Sequence, residues 1–180
     1  MPYKVEIMII YHQAFDLYHT VYRMIQLLGY FKRGDQIEID RLRIWDYYML
    51  FPNKLSNLKL RRNEKDIKNL INSFIIRADN PYEEVIDDRK MFEKIKPYQM
   101  TAIKSLASYG IVNKDYLTTN RINSISSELI EDYISKLEKL TNQEENTIKL
   151  LTSHFYQMSL YGEYGLKDRS KLLESKYDAQ

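Results

Sequence analysis

Residues 87–112 read DDRKMFEKIKPYQMTAIKSLASYGIV, and the architecture turns on how the chain passes Pro97. A proline lacks the backbone N–H and pushes the residue before it away from helical geometry. IKPYQ therefore predicts the end of one helix and the start of the next. Upstream, Asn80 can cap, Pro81 fits a first helical position and Glu83 falls in the first turn, which predicts a helix running through Ile95. Downstream, Ile103, Leu106 and Ala107 give the second helix an apolar side, and Gly110 is a natural left-handed stop. IVNKDYLTTNRINSI then reads as two short strands around polar turn residues.

Helix, tight turn, helix, glycine stop and hairpin follow the order of a winged helix. Residues 79–125 are thus expected to form a winged-helix-like module. Such a module reads DNA with Arg, Lys, Asn or Gln near the start of its recognition helix. Here that helix offers Gln99, Thr101, Lys104, Ser105 and Ser108, a thin reading head. Lys104, with Lys114 and Arg121 in the expected wing, is a candidate for phosphate contact. A separate basic cluster, Lys59, Arg61, Arg62, Lys65 and Lys68, lies upstream. Two readings stand side by side: a winged-helix DNA-binding regulator, or a protein-docking module surrounded by solvated cations. The poverty of the reading head favours the second.

The flanking segments are helical with little strand. YKVEIMIIY, residues 3–11, alternates and then runs apolar, as a short strand does. Apolar residues recur at helical spacing from Ala14 to Leu28, and Gly29 ends the run. A helix from Glu38 to Phe51 stops before Pro52 and is apolar almost all round, the mark of a buried central element. Another spans about Glu64 to Ile76. The C-terminal part holds helices Ser127–Leu140 and Asn142–Leu160, with Thr141 and Glu144 as a capping box. The tail YGEYGLKDRSKLLESKYDAQ ends in a short amphipathic helix. The class is mainly α (α+β): 1–78 an N-terminal strand and helical layer, 79–125 the winged-helix-like module, 126–180 a C-terminal helical hairpin and tail, all in one compact unit.

Composition narrows the function. The 180 residues carry a net charge of +2, too little to mark a nucleic-acid binder without a local cluster. The chain has no cysteine, which removes disulfides, thiolate metal sites and cysteine nucleophiles. No basic lead precedes a long apolar segment at the N-terminus, and no apolar run is long enough to span a bilayer. A cytoplasmic protein without a membrane partner is expected. Its 16 tyrosines fit an AT-rich codon bias, and also suit wet interfaces.

Candidate chemistry is sparse. In YHQAFDLYHTVYR, residues 11–23, His12, Asp16, His19 and Arg23 fall within about 40° on a helical wheel, nearly opposite Val21. Two histidines and an aspartate can ligate zinc or non-haem iron, but Arg23 on the same line disfavours a divalent cation. The stripe is read as a partner-facing surface. Asp46 falls among Ile39, Leu42 and Leu50, so it needs a buried partner, and Arg43 is in reach three residues earlier. His154, among apolar residues, reads as a structural histidine. The five glycines form no phosphate loop and no serine sits in a nucleophile elbow. No cofactor, metal or enzymatic activity is expected.

Four blocks in order, YHQAFDLYHTVYRMIQLL, IEIDRLRIWDYYMLFP, DDRKMFEKIKPYQMTAIKSLASYGIV and YGLKDRSKLLESKYD, resemble the middle components of bacterial ABC-three-component systems. These systems overlap with Lamassu-type anti-phage defence. The resemblance implies a small winged-helix-like, non-catalytic adaptor. Its partners would be an SMC/Rad50-like ABC ATPase, on which it docks, and an effector, often a nuclease, that it helps restrain or position. It supplies no catalytic set. His12, Asp16, Arg41, Asp46 and Arg169 carry over only as fold or interface residues, and the partner interface is assigned to His12, Asp16, His19, Arg23, Arg41 and Arg169. The cation-poor recognition helix departs from a DNA reader, which leaves at most indirect or non-specific DNA contact.

Overall fold

IDRLRIWDYYML, residues 39–50, has hydrophobic or aromatic groups on every side, and it becomes the centre of the molecule. A computed structural model describes residues 12–30, 36–75, 85–123 and 126–174. In it α2 (Ile39–Leu50) buries even Arg41, Arg43 and Asp46 along with Trp45, Tyr47 and Tyr48. Around it lie α1 (Leu17–Gly29), a 3-10 segment Pro52–Asn57, α3 (Lys65–Phe74) and α4 (Asp88–Ser108). A short α5 (Lys114–Leu117) is followed by α6 (Ser127–Lys136), α7 (Asn142–Leu150) and α8 (Leu166–Ser170). One hydrophobic cluster draws on residues from Ala14 to Leu172. The architecture is mainly α, with two short strands among the described residues.

Strands β1 (Gln36–Glu38) and β2 (Arg121–Asn123) pair antiparallel, with Ile37 opposite Ile122. Both isoleucines are 1 % exposed, so burial of this pair sets the register. Where the sequence predicts the first strand of a wing, Lys114–Leu117 winds into a helical turn. The Asn113 side chain accepts the Asp115 N–H at 2.9 Å, the local bond that starts such a turn. β2 then joins β1 from far upstream, while its Asn123 carbonyl accepts the Asn113 N–H at 3.3 Å, so a short contact of the expected hairpin persists beside the long-range pair.

Pro97 does not break the chain. It lies inside α4, which runs unbroken from Asp88 to Ser108, and this corrects the expected tight turn between two helices. A mid-helix proline costs about 3 kcal/mol. Phe92 and Ile95 before it, and Gln99, Ala102, Ile103 and Leu106 after it, are all buried. Each large apolar group among them contributes roughly 1.5–3 kcal/mol when kept from water, so the continuous face outweighs the proline. Pro97 itself is exposed, as is Glu93, whose carbonyl loses the helical N–H that a residue other than proline would offer at position 97. The helix begins at Asp88, where Asp87 accepts the Lys90 N–H at 3.0 Å, and not further upstream. The capping residues Asn80, Pro81 and Glu83, like the strand at 3–11, lie outside the described residues.

Local signals hold at other ends. Gly110 has φ +76° after α4. Thr141 and Glu144 form both bonds of the capping box, at 3.2 and 2.7 Å. Helix α7 ends early, because Leu151–Phe155 widens into a π turn that buries Leu151 and Phe155 and leaves His154 exposed. His154 is therefore not the structural histidine its neighbours predict. At Gly29 an added Cβ would lie 2.5 Å from Ile134 Cδ1, so the missing side chain lets α6 approach α1 closely.

Candidate functional site

The N-terminal polar set does not form one helical stripe. His12 precedes a 3-10 turn (Gln13–Phe15), where its Nδ1 accepts the Ala14 N–H at 3.0 Å. Asp16 is the cap of α1 and not a member of it. Its Oδ1 accepts the His19 N–H at 2.9 Å and stands 3.1 Å from His19 Nδ1. These three residues are half-buried at the start of α1, and His12 packs its ring 6.0 Å from Phe51. Arg23 departs from them. It points inward, 6 % exposed, so its expected place on a partner-facing line is corrected. Capping restarts the helical phase at Leu17, and a wheel drawn through His12 carries the wrong phase.

Arg23 meets Asp46, which is fully buried. Its Nε donates to Oδ1 at 2.6 Å, and Nη2 to the Thr20 hydroxyl at 3.2 Å. Gln99 Nε2 donates to Asp46 Oδ2 at 2.9 Å and to the Arg43 carbonyl at 3.0 Å. Arg43 Nε in turn donates to Gln99 Oε1 at 3.0 Å, and Nη1 to Asp40 Oδ1 at 3.2 Å. Lys167 Nζ lies 3.2 Å from the other oxygen of Asp40. This chain of bonds links α1, α2, α4 and α8. It corrects two expectations. Asp46 is neutralised by Arg23 and not by its neighbour Arg43, and Gln99 is 0 % exposed, so it reads no base edge. Burial lowers the basicity of Arg43, offset in part by Asp40, and its guanidinium carbon sits 4.4 Å from the Phe92 ring centre.

Arg41 and Arg169 are also buried, at 4 and 3 % exposure. Arg41 donates to Glu38 at 2.8 Å and to the Phe155 carbonyl at 2.9 Å, at the end of the π turn. Arg169 grips Glu64 with two nitrogens, at 2.7 and 2.8 Å, and donates further to the Lys59 and Tyr164 carbonyls. Asp168 accepts the Tyr164 N–H at 3.1 Å and faces Lys59 at 3.3 Å. At Gly165 a Cβ would meet the Tyr161 carbonyl oxygen at 2.3 Å, so YGLKDRS needs its glycine to close. The motif is a brace that ties the tail to α2 and to the loop before α3. The roles of Glu64 and Lys167 were not anticipated; the only sequence cue is their charge beside a dense charged motif.

Lys104, Lys114 and Arg121 are all exposed, on α4, α5 and β2. Among the described residues, no three His, Cys, Asp or Glu side chains gather as a metal site requires. No helix of the described residues is long and apolar enough to cross a membrane.

Comparison with known proteins places these observations. No curated protein and no solved structure matches the chain. A family model, ABC-three component (ABC-3C) system Middle Component 5, matches residues 9–178. That span takes in α1 to α8, both strands, the buried polar chain and the C-terminal brace. The chain belongs to this family of middle components, and it is one part of a multi-subunit ABC-three-component system.

Proposed function

We propose that the protein is a non-catalytic adaptor of an anti-phage defence complex in the cytoplasm. In this reading it docks on an SMC/Rad50-like ABC ATPase and helps restrain or position a nuclease effector. The observation that carries the reading is the family match over residues 9–178. The buried chemistry is in keeping with it. Arg23, Asp46, Gln99, Arg43 and Asp40 hold one another across three helices, and Lys167 ties in a fourth, an arrangement that rigidifies a scaffold. His12, Asp16 and His19 are assigned to the partner-facing surface. Arg23, Arg41 and Arg169 support such surfaces from inside. Lys104, Lys114 and Arg121 contribute at most non-specific phosphate contact.

The test is co-production of the tagged full chain with the ATPase and effector of its own system. Co-elution with either subunit is the expected result, and omission of the chain is expected to change the effector's action on DNA. A chain that always elutes alone would remove the reading.

A further inference from the structure

The segment that leads into α1 holds two histidines whose Nδ1 atoms play opposite parts. His12 Nδ1 lies 3.0 Å from the Ala14 backbone nitrogen, whose N–H it accepts. A ring nitrogen that accepts a bond carries no proton, so this imidazole is neutral with its one proton on Nε2. His19 Nδ1 stands 3.1 Å from Asp16 Oδ1, an oxygen that only accepts while ionised. His19 therefore carries its proton on Nδ1, and a second proton enters at Nε2 without breaking that contact. The His12 carbonyl also accepts the Phe15 N–H at 3.0 Å, so His12 closes the 3-10 turn Gln13–Phe15 with both side chain and backbone. The Asp16 carboxylate starts α1 separately, by accepting the His19 N–H at 2.9 Å.

We infer that the His12 turn is a proton-operated joint: protonation of His12 releases residues 12–15 while Asp16 keeps α1 fastened. The second proton on His12 goes to Nδ1, turns the acceptor into a donor and sets it against the Ala14 N–H. The bond is present while the ring is neutral and is lost as pH falls through the range, about pH 8 to 5, in which histidines ordinarily charge. His19 responds the other way, since its charged ring is attracted to Asp16. The surroundings do not cancel the effect. His12 packs on Phe51 at the end of α2 and on Phe15, with 6.0 and 5.7 Å between ring centres. Tyr47 lies 5.1 Å behind Phe51 and donates to Asp88, and Tyr98 of α4 lies 5.7 Å from Phe15. Asp16 is taken up by His19 and Asp88 by Lys54, so no ion pair of the described residues holds a charge on His12 in place. The turn carries Phe15, 40 % exposed, on the face that the adaptor reading gives to a partner. The joint itself belongs to the chain alone and stands whether or not that reading holds.

The experiment is nitrogen NMR of the full chain between about pH 8 and pH 5.5. Ring nitrogen shifts report the charge of each histidine, and amide exchange, divided by the free-chain rate at the same pH, reports each N–H. As His12 takes up its proton, the Ala14 N–H is expected to lose protection about three- to tenfold while the His19 N–H holds. His12→Asn offers a side-chain oxygen that accepts the same N–H without titrating, so Ala14 should stay protected throughout. His12→Ala should show the low Ala14 value at both ends of the range. The inference is overturned by Ala14 protection that is unchanged as His12 protonates, by Ala14 and His19 losing protection together, or by an equal loss in His12→Asn. A neutral His12 ring with its proton on Nδ1 overturns it as well. If either variant fails to fold, the wild-type contrast between Ala14 and His19 decides the matter alone.

Discussion

Arg23 of α1 donates to the fully buried carboxylate of Asp46 on α2 at 2.6 Å, and this pair joins the two helices at the centre of the fold. Among the described residues Arg23 Nη1 has no hydrogen-bond partner, and the arginine is held mainly by the carboxylate and by Thr20.

Removing one member should therefore cost far more than removing both. Asp46→Ala strands a buried guanidinium and is expected to destabilise the protein by about 3–5 kcal/mol. Arg23→Met with Asp46→Leu restores shape without charge and should recover most of that loss. Gln99 then keeps its bond to the Arg43 carbonyl at 3.0 Å. Urea unfolding of the two singles and the double gives the coupling energy; additive losses would show that the pair does not act as a unit.

Pro97 offers a gain in the opposite direction. It is exposed and lies inside α4. Pro97→Ala restores the missing N–H to the Glu93 carbonyl and should stabilise by about 2 kcal/mol, after allowance for the freer unfolded chain. A higher urea midpoint with an unchanged slope is the expected readout. No change would mean that the helix is already bent to absorb the ring.

These two sites mark where sequence reasoning stops. Signals carried by one or two neighbouring residues are legible: the Thr141 capping box, the left-handed Gly110, and the apolar circumference of α2. What depends on packing is not. Nothing local to Pro97 says that Phe92, Gln99 and Leu106 share one buried face strong enough to keep the helix whole. Nothing local to Asp46 says that Arg23 will reach it before Arg43 does. The single helical line through His12, Asp16, His19 and Arg23 does not form for a related reason, because a cap at Asp16 resets the helical phase and turns Arg23 inward.

Asp16 has a measurable structural duty apart from any partner. It accepts the His19 N–H at 2.9 Å as the cap of α1. Asp16→Ala is expected to cost about 1 kcal/mol, and Asp16→Asn or Asp16→Ser much less. If partner capture falls with Asp16→Asn while the melting temperature holds, the side chain meets the partner directly. If capture and stability fall together only in the alanine variant, its role is the cap.

Acid stability should be set by three carboxylates held below their ordinary range. The side-chain bond from Arg169 lowers Glu64 from 4.5, and the Tyr164 N–H lowers Asp168 from 3.8. Burial raises Glu38, but Arg41 outweighs it and the net shift is downward. A carboxylate whose folded pKa lies below its unfolded value binds fewer protons when folded. Its stabilisation is complete above the unfolded value and is lost as pH falls through the folded one. The protein should thus hold its urea midpoint down to about pH 5 and lose it progressively below the ordinary carboxylate values. Glu64→Gln removes one of these groups and should flatten that acid slope while lowering stability at neutral pH. Arg169→Lys keeps the charge but not the two-nitrogen grip, so it should lower the neutral midpoint as well. An acid slope identical in wild type and Glu64→Gln would show that the Glu64–Arg169 clamp does not couple to folding.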